Sequence, residues 1–201
     1  MARAAVAPWA EAIPETSRLM TAADLLRLPD SARGYELVDG RLVRMSPTGS
    51  GHGARAAKPI TALGNFVDEH HLGRVISSGA GFLISQPGEP DTVLAPDAAF
   101  VRADRVPREN SPDWEGYWRL APDLVVEIAS PSPSRAELAA KARKWLGAGT
   151  RLLWVVWPLS RQVDVWRPDA DAPVTTLGLE DALDGLDVLP GFTYAVGSLF
   201  A

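Results

Sequence analysis

The chain of 201 residues contains no cysteine. Disulfide bonds, thiolate zinc sites and cysteine nucleophiles are therefore excluded, and the composition fits a reducing compartment such as the cytoplasm. Histidine is also scarce, and its three residues lack the spacing of a zinc hydrolase. The G-x-S-x-G motif is missing as well, so the sequence gives no support for Ser-His-Asp catalysis.

Long apolar runs are missing too. No segment reaches the roughly 20 apolar residues that span a bilayer, and the N-terminal stretch, with Glu11 and Glu15, lacks the apolar run of a signal peptide. We therefore expect a cytoplasmic protein without membrane contact. With 46% hydrophobic residues, the chain is long enough for one good core and short for two. We expect a flexible lead-in over residues 1–20 and a single domain over residues 21–201.

Positive charge is in deficit, since the net charge is -5. By itself this argues against a nucleic-acid partner. The deficit, however, lies at the C-terminal end, because no Lys or Arg follows Arg167 whereas six of the 25 acidic residues do. Residues 1–167 therefore carry 20 basic and 19 acidic side chains, a net +1, and a nucleic-acid face is compatible with that part of the chain.

Turn and capping signals divide the chain into helices and strands. The Asp39-Gly40 pair lies between two apolar alternations and predicts a hairpin with strands over residues 34–38 and 41–46. Helices are predicted from Thr21 to Leu28, over residues 52–71 and from Ser134 to Leu146; Pro59 must lie in an early turn of the second helix or kink it. Further strands are predicted over residues 74–78, 81–85, 93–101, 122–129, 152–157 and 162–167. The charged connection over residues 102–119 is a candidate mobile loop, and the whole pattern indicates a mixed α/β domain.

Two carboxylates interrupt apolar runs: Asp97 in VLAPDAAFV and Glu127 in PDLVVEIAS. An unpaired ionised carboxylate is costly inside an apolar strand, so such residues are usually paired, hydrogen-bonded or bound to a metal. The alternatives are a Pro-Asp turn for Asp97 and a solvent-exposed edge strand for Glu127. Asp123 is a rival ligand, but four residues along a strand span about 13 Å, whereas magnesium ligands lie about 2.1 Å from the ion. We predict that Asp97 and Glu127 lie close together on adjacent strands and share a cation.

Three more side chains are candidates for the same site. Lys141 borders the apolar stripe of its helix, so its ammonium either reaches a polar pocket or stays in solvent; a residue at a helix edge is expected to be dispensable for folding. Glu36 lies within a predicted strand and either supports a cation or is exposed beside the turn. His52 opens the helix over residues 52–71, where a ring nitrogen either contacts a phosphate or, as the commoner structural role, caps the helix.

The segments YELVDGRLVRMSP, APDAAFV, PDLVVEIASPS, LLWVVWP and LPGF, with His52 and the stretch 141–149, together resemble one family. From about Thr21 to Phe200 the chain resembles the bacterial "Uma-two" proteins, which are described as restriction endonucleases and are similar in fold to the PD-(D/E)XK nucleases. The resemblance implies a restriction-endonuclease-like core, in which helices flank a central mixed sheet. Two positions depart from the family pattern. Ala129 stands where a lysine is expected two residues after the second acid, and Trp157 stands where the family tends to have an aspartate.

The resemblance also implies a function and its residues. Asp97 and Glu127 would bind Mg²⁺ or Mn²⁺, Glu36 would assist, and Lys141 would replace the lysine missing at Ala129. The expected activity is metal-dependent endonuclease cleavage of nucleic acid, with DNA as the expected substrate, and Lys141 would orient water or neutralise charge on the phosphorane.

Further expectations concern assembly and the alternative functions. A homodimer is expected, because the Trp-rich strands over residues 152–167 and the C-terminal segment are strongly apolar and a two-fold dimer suits cleavage of both strands. One alternative function is a nuclease fold that has lost catalysis and binds nucleic acid or a protein partner. Another is a carboxylate-pair hydrolase such as a glycosidase, in which some of the seven tryptophans would stack on sugars.

Overall fold

The computed structural model of the chain describes residues 18–28, 34–45, 49–130 and 134–201. All of the expected flexible lead-in except its last three residues lies outside the described residues. In the described part, no helix is long and apolar enough to cross a membrane.

A six-stranded mixed sheet forms the centre of the domain. Its strands, in spatial order, are β10 (Thr175–Leu177), β9 (Gln162–Trp166), β8 (Leu152–Trp157), β7 (Leu124–Ile128), β6 (Ala98–Arg102) and β3 (Gly73–Ser77). Only β7 and β8 pair in parallel, and helix α4 (Arg135–Gly147) makes the crossover that a parallel pair requires. The expected mixed sheet flanked by helices is thereby confirmed.

A smaller antiparallel sheet lies next to it. Its order is β2 (Arg41–Arg44), β1 (Tyr35–Val38), β5 (Val93–Leu94) and β4 (Phe82–Leu83). The predicted hairpin is confirmed, with both turn residues in the left-handed region: Asp39 at φ 51° and Gly40 at φ 75°. A third, two-stranded sheet pairs β11 (Ala182–Asp184) with β12 (Thr193–Ala195).

Four α-helices and two 3₁₀ helices complete the described fold: α1 (Ala22–Leu26), α2 (Ser50–Glu69), α3 (Pro112–Glu115), α4, and 3₁₀ turns at Ala103–Arg105 and Val196–Leu199. Thr21 and Ser134 begin α1 and α4 with capping boxes, as their sequences predict. Residues 102–119, expected as a candidate mobile loop, contain α3 and one of the 3₁₀ turns. Pro59 is the tenth residue of α2, so of the two alternatives predicted for it the early-turn position is wrong.

The strand predicted over residues 93–101 is in fact two strands that belong to different sheets. Val93 and Leu94 pair within the small sheet, whereas β6 begins at Ala98 in the large one. Pro96 has no N–H to give to a ladder, and the N–H of Ala95 donates to a side chain, Oε1 of Glu36, at 2.9 Å. The chain therefore changes sheet immediately before Asp97.

The two faces of the large sheet are covered by different helices. Leu63 and Val67 of α2 are fully buried on the face that carries Val126 and Ile128, as the apolar face of this helix predicts. On the other face, α4 packs Leu138, Ala142 and Trp145 against a second core that includes Val125 and Val155. Because side chains alternate along a strand, Glu127 of β7 points to the α4 face.

The apolar residues that suggested self-association are used inside the chain. Trp154 and Trp166 are buried in the two cores, and so are Leu189 and Phe192 of the C-terminal segment. These buried residues therefore supply no surplus apolar surface for a dimer, and the homodimer stays a prediction.

Candidate functional site

Asp97 and Glu127 lie at the junction of two adjacent strands. The ladder pairs Ala98 of β6 with Val126 of β7, so the next residue on each side is Asp97 and Glu127. Oδ2 of Asp97 accepts a hydrogen bond from the backbone N–H of Ile128 at 2.7 Å, and the N–H of Asp97 donates to the carbonyl of Val126 at 3.1 Å. Asp97 is thus bound to β7 on both sides of Glu127 and is not held in an isolated Pro-Asp turn.

The carboxylate of Glu127 is buried and bound by two side chains of α4. The Lys141 ammonium lies 3.0 Å from Oε1 and 3.1 Å from Oε2, and the indole N–H of Trp145 donates to Oε1 at 2.8 Å. Lys141 and Trp145 are four residues apart and so lie on the same side of the helix. Glu127 is therefore in a polar pocket of the core and not on a solvent-exposed edge.

Glu36 reaches the same lysine from the small sheet. Its Oε1 lies 3.0 Å from the Lys141 ammonium, and the Glu36 side chain is only 3% exposed. Lys141 also lies 3.4 Å from the carbonyl of Ala95. The ammonium thus contacts the small sheet, the sheet-changing segment and β7. Lys141 therefore reaches a polar pocket, and Glu36 is not exposed beside the turn.

His52 stands on the other side of Asp97, near the start of α2. Its Nε2 lies 3.0 Å from the carbonyl oxygen of Ile128 and 3.6 Å from Oδ2 of Asp97. The helix is capped at Gly49 without a side-chain hydrogen bond, so His52 is not its cap. The structure places this imidazole at the edge of the carboxylate site.

Burial and mutual repulsion control the protonation of the site. Burial raises the pKa of Glu127 to about 7; the Lys141 ammonium opposes the rise, and the charges of Asp97 and Glu36 add to it. Burial also raises the pKa of Asp97, against the effects of His52 and of the Ile128 N–H. For Lys141, burial lowers the pKa, but Glu127 and Glu36 outweigh it and hold the pKa above its ordinary value. Three carboxylates thus share one permanent positive charge, and a further cation would relieve their repulsion.

The donor set consists of carboxylates, which suit a hard divalent cation. Asp97 and Glu127 offer carboxylate oxygens, the ligands that Mg²⁺ and Mn²⁺ prefer. Glu36 and Glu127 both pair with Lys141, and in the described part of the chain no group of three or more His, Asp or Glu side chains is arranged to hold an ion. The residues therefore fit the kind of magnesium site in which one or two carboxylates are completed by water and substrate phosphate.

Two results at the site were not foreseen in the sequence. Trp145 binds Glu127 directly, and the only available signal was its spacing of four residues from Lys141. Asp123, the rival ligand, has other partners: its Oδ1 lies 2.8 Å from Arg105 and its Oδ2 accepts from the N–H of Arg102 at 3.0 Å. Asp123 therefore anchors the chain after β6 and takes no part in the carboxylate site.

Comparison with known proteins supports this description of the fold. The crystal structure of "a putative nuclease belonging to DUF820" from Anabaena variabilis superposes with a TM-score of 0.73 at 20% sequence identity, covering 90% of this chain and 97% of that one. No curated protein matches the chain significantly. Residues 22–197 match the Uma2 family, described as "Putative restriction endonuclease". Because that match spans nearly the whole sequence, the chain belongs to the Uma2 family.

Proposed function

We propose that the protein is a metal-dependent nuclease that hydrolyses phosphodiester bonds of nucleic acid, with DNA as its substrate. The observation that carries the proposal is the buried Glu127 carboxylate, which lies beside Asp97. It pairs with the Lys141 ammonium at 3.0 Å and accepts a hydrogen bond from the indole N–H of Trp145 at 2.8 Å. A fold with no use for a charge at this position would have an apolar residue there, since burying a carboxylate is costly. Family membership supports the same reaction class.

Each residue has a proposed role. Asp97 and Glu127 would hold Mg²⁺ or Mn²⁺, and the bound ion would supply Lewis-acid chemistry at the phosphate. Lys141 remains charged and fixes Glu127, and in this scheme its ammonium would neutralise negative charge that develops on the phosphorane. Glu36 positions Lys141. His52, beside Asp97, is a phosphate contact in this scheme.

A second candidate function is a nuclease-fold module that binds nucleic acid or a protein partner without cleaving. The contacts that Lys141 already makes favour this function, because its ammonium pairs with Glu36 and Glu127 and lies near the carbonyl of Ala95. Ala129, which stands in place of a lysine, favours it too. The glycosidase alternative loses four of its seven tryptophans, because Trp118, Trp145, Trp154 and Trp166 are buried in the core and cannot stack on a sugar.

Cleavage assays test the proposal. Purified protein is incubated with plasmid DNA, linear duplex, single-stranded DNA and RNA, in Mg²⁺, in Mn²⁺ and in EDTA. We expect metal-dependent cleavage by the wild type, loss of cleavage in Asp97→Asn and Glu127→Gln, and unchanged cleavage in Glu69→Gln, a matched change at an exposed helix end. Metal-dependent cleavage that persists in both site variants would come from a contaminant and would refute the proposal. Absence of cleavage with every substrate and metal would favour the binding module.

Homodimerisation and a cytoplasmic location remain proposals with separate support. The two-fold argument supports a dimer, because two copies related by symmetry can each cut one strand of a duplex. The lack of cysteine supports a reducing compartment. Light scattering that gives 21.5 kDa, the mass of one chain, over a wide concentration range would refute the dimer.

A further inference from the structure

We infer that Arg135 binds a backbone phosphate of the nucleic acid next to the one that is cleaved. The inference rests on the proposed nuclease function and adds a binding residue to it. The Arg135 guanidinium carbon lies 4.3 Å from the centre of the Trp157 ring, and its Nη1 lies 3.3 Å from Oδ2 of Asp164. The Arg135 side chain is nevertheless 59% exposed, whereas that of Asp164 is 5% exposed.

The surroundings hold the guanidinium in place before any ligand arrives. Oδ2 of Asp164 also accepts from the indole N–H of Trp157 at 2.7 Å, and its Oδ1 accepts from the hydroxyl of Thr176 at 2.6 Å. The carboxylate and the ring that contact Arg135 are therefore fixed to each other. A planar cation held against an aromatic face loses less conformational freedom on binding a phosphate than a free side chain does.

The strand register places this cluster beside the carboxylate site. Glu127 pairs with Val155 in β8, and Val155 pairs with Asp164 in β9. Glu127 and Asp164 therefore occupy one row on the same face of the sheet, two strand spacings or about 10 Å apart. Arg135 is the first residue of α4, and Trp157 is the last residue of β8. A nucleic-acid strand with one phosphate at Glu127 can thus present a neighbouring phosphate to Arg135.

The exposure of Arg135 separates this role from a purely structural one. Asp164 already accepts hydrogen bonds from two neutral donors, Trp157 and Thr176. If Arg135 only neutralised Asp164, its side chain would be expected to be as buried as that of Asp164. Arg135 instead uses one of its five N–H groups on Asp164. Because so much of the side chain is exposed, the remaining donors are accessible to a fork-shaped pair of bonds with a phosphate.

Salt-dependent binding tests the inference without relying on cleavage. Binding of a fluorescent DNA duplex is measured by anisotropy in EDTA over a range of salt concentrations, for wild type, Arg135→Gln and Arg143→Gln. Glutamine keeps an N–H for Asp164 but removes the charge. Arg143 is the matched control, since it is an exposed arginine on the same helix that donates to the carbonyl of Asp171. The slope of log K against log salt is negative, and one lost phosphate contact lowers its magnitude by about 0.9.

A slope whose magnitude is smaller by about 0.9 in Arg135→Gln, with Arg143→Gln equal to wild type, supports the inference. An unchanged slope in Arg135→Gln, an equal reduction in both variants, or no duplex binding by wild type overturns it. The cleavage assay is read separately. A cleaving wild type with an unchanged Arg135→Gln slope refutes only the phosphate contact, whereas a reduced slope without cleavage refutes only the nuclease activity.

Circular dichroism checks that Arg135→Gln folds. If it does not, Arg135→Lys and Arg143→Lys are compared at one salt concentration, because lysine keeps the charge beside Asp164 but lacks the planar fork. About threefold weaker binding by Arg135→Lys than by Arg143→Lys supports the inference, and equal affinities overturn it.

Discussion

Trp145 donates its indole N–H to Oε1 of Glu127 across 2.8 Å, in a part of the core where both side chains are buried. The same tryptophan packs edge-on against Phe82, with ring centres 6.3 Å apart. One turn earlier on α4, Lys141 binds the same carboxylate. A single helix therefore provides both the apolar packing of this face and the polar contacts that orient Glu127.

Replacing Trp145 with phenylalanine should show how much the hydrogen bond from Trp145 to Glu127 contributes to stability and to cation binding. Phenylalanine keeps an aromatic ring but leaves Oε1 of the buried Glu127 without one donor, which we expect to cost about 1–3 kcal/mol of unfolding free energy. Divalent-cation binding, measured by calorimetry, should weaken because the carboxylate is less well oriented. The control is Trp166→Phe, since the buried Nε1 of Trp166 has no partner within the described residues. Equal effects of the two variants on stability and cation binding would show that only packing is involved.

Much of the fold could be predicted because its signals are local. The Asp39-Gly40 turn and the capping residues Thr21 and Ser134 depend on side chains within a few residues of each other. The break within residues 93–101 has one local signal, Pro96, which has no N–H to give to a ladder. The assignment of the two halves to different sheets has none, because it involves distant contacts such as the hydrogen bond from the N–H of Ala95 to Glu36, 59 residues away.

The same contrast applies to the site. Asp97 and Glu127 were recognisable because a charge in an apolar run needs a partner, and Lys141 because it borders the apolar face of its helix. Trp145 gave no such signal, since tryptophan in an apolar stripe is normal core. Its hydrogen bond crosses from α4 to β7, and only the packed structure shows which polar atom meets the indole N–H.

Lys141 should matter for folding as well as for cleavage, contrary to the expectation for a helix-edge residue. Its side chain is 12% exposed and pairs with both Glu36 and Glu127 at 3.0 Å. Lys141→Met removes the counter-charge of two buried carboxylates, so we expect loss of cleavage and a loss of about 3–5 kcal/mol in unfolding free energy at pH 8. Lys144→Met is the control, because it breaks a more exposed pair with Asp39. Wild-type cleavage by Lys141→Met would exclude a catalytic role for this lysine.

The raised pKa of Glu127 gives stability a defined dependence on pH. Its pKa is about 7 in the folded protein against an ordinary value of 4.5, so the folded state keeps a proton that the unfolded chain has lost. Without a divalent cation, the unfolding free energy should therefore fall as the pH rises from about 4.5 to about 7. Asp97, whose pKa is also raised, acts in the same direction. Denaturant unfolding in EDTA should show this fall, and Glu127→Gln should reduce it.

Mg²⁺ should reverse this trend, because it binds the ionised carboxylates. We expect the rise in melting temperature on adding Mg²⁺ to be larger at pH 8 than at pH 5.5, and to vanish in Glu127→Gln. An equal rise at both pH values, or one retained in the variant, would place the bound cation elsewhere on the protein.

Substituting Asp97 should abolish cation binding and cleavage with little effect on stability, whereas substituting Asp123 should lower stability and leave cation binding and cleavage intact. Asp97→Asn keeps an oxygen that can accept from the Ile128 N–H and removes one charge from a crowded site, so folding should be nearly unchanged while cation binding and cleavage are lost. Asp123→Asn keeps an oxygen for the Arg102 N–H but breaks the 2.8 Å ion pair with Arg105. This second change should cost about 1–3 kcal/mol of stability, while cation binding and cleavage persist below the melting temperature. Calorimetry, unfolding curves and cleavage assays on the two variants decide the matter, and loss of cation binding in a folded Asp123→Asn protein would mean that the site has been assigned to the wrong aspartate.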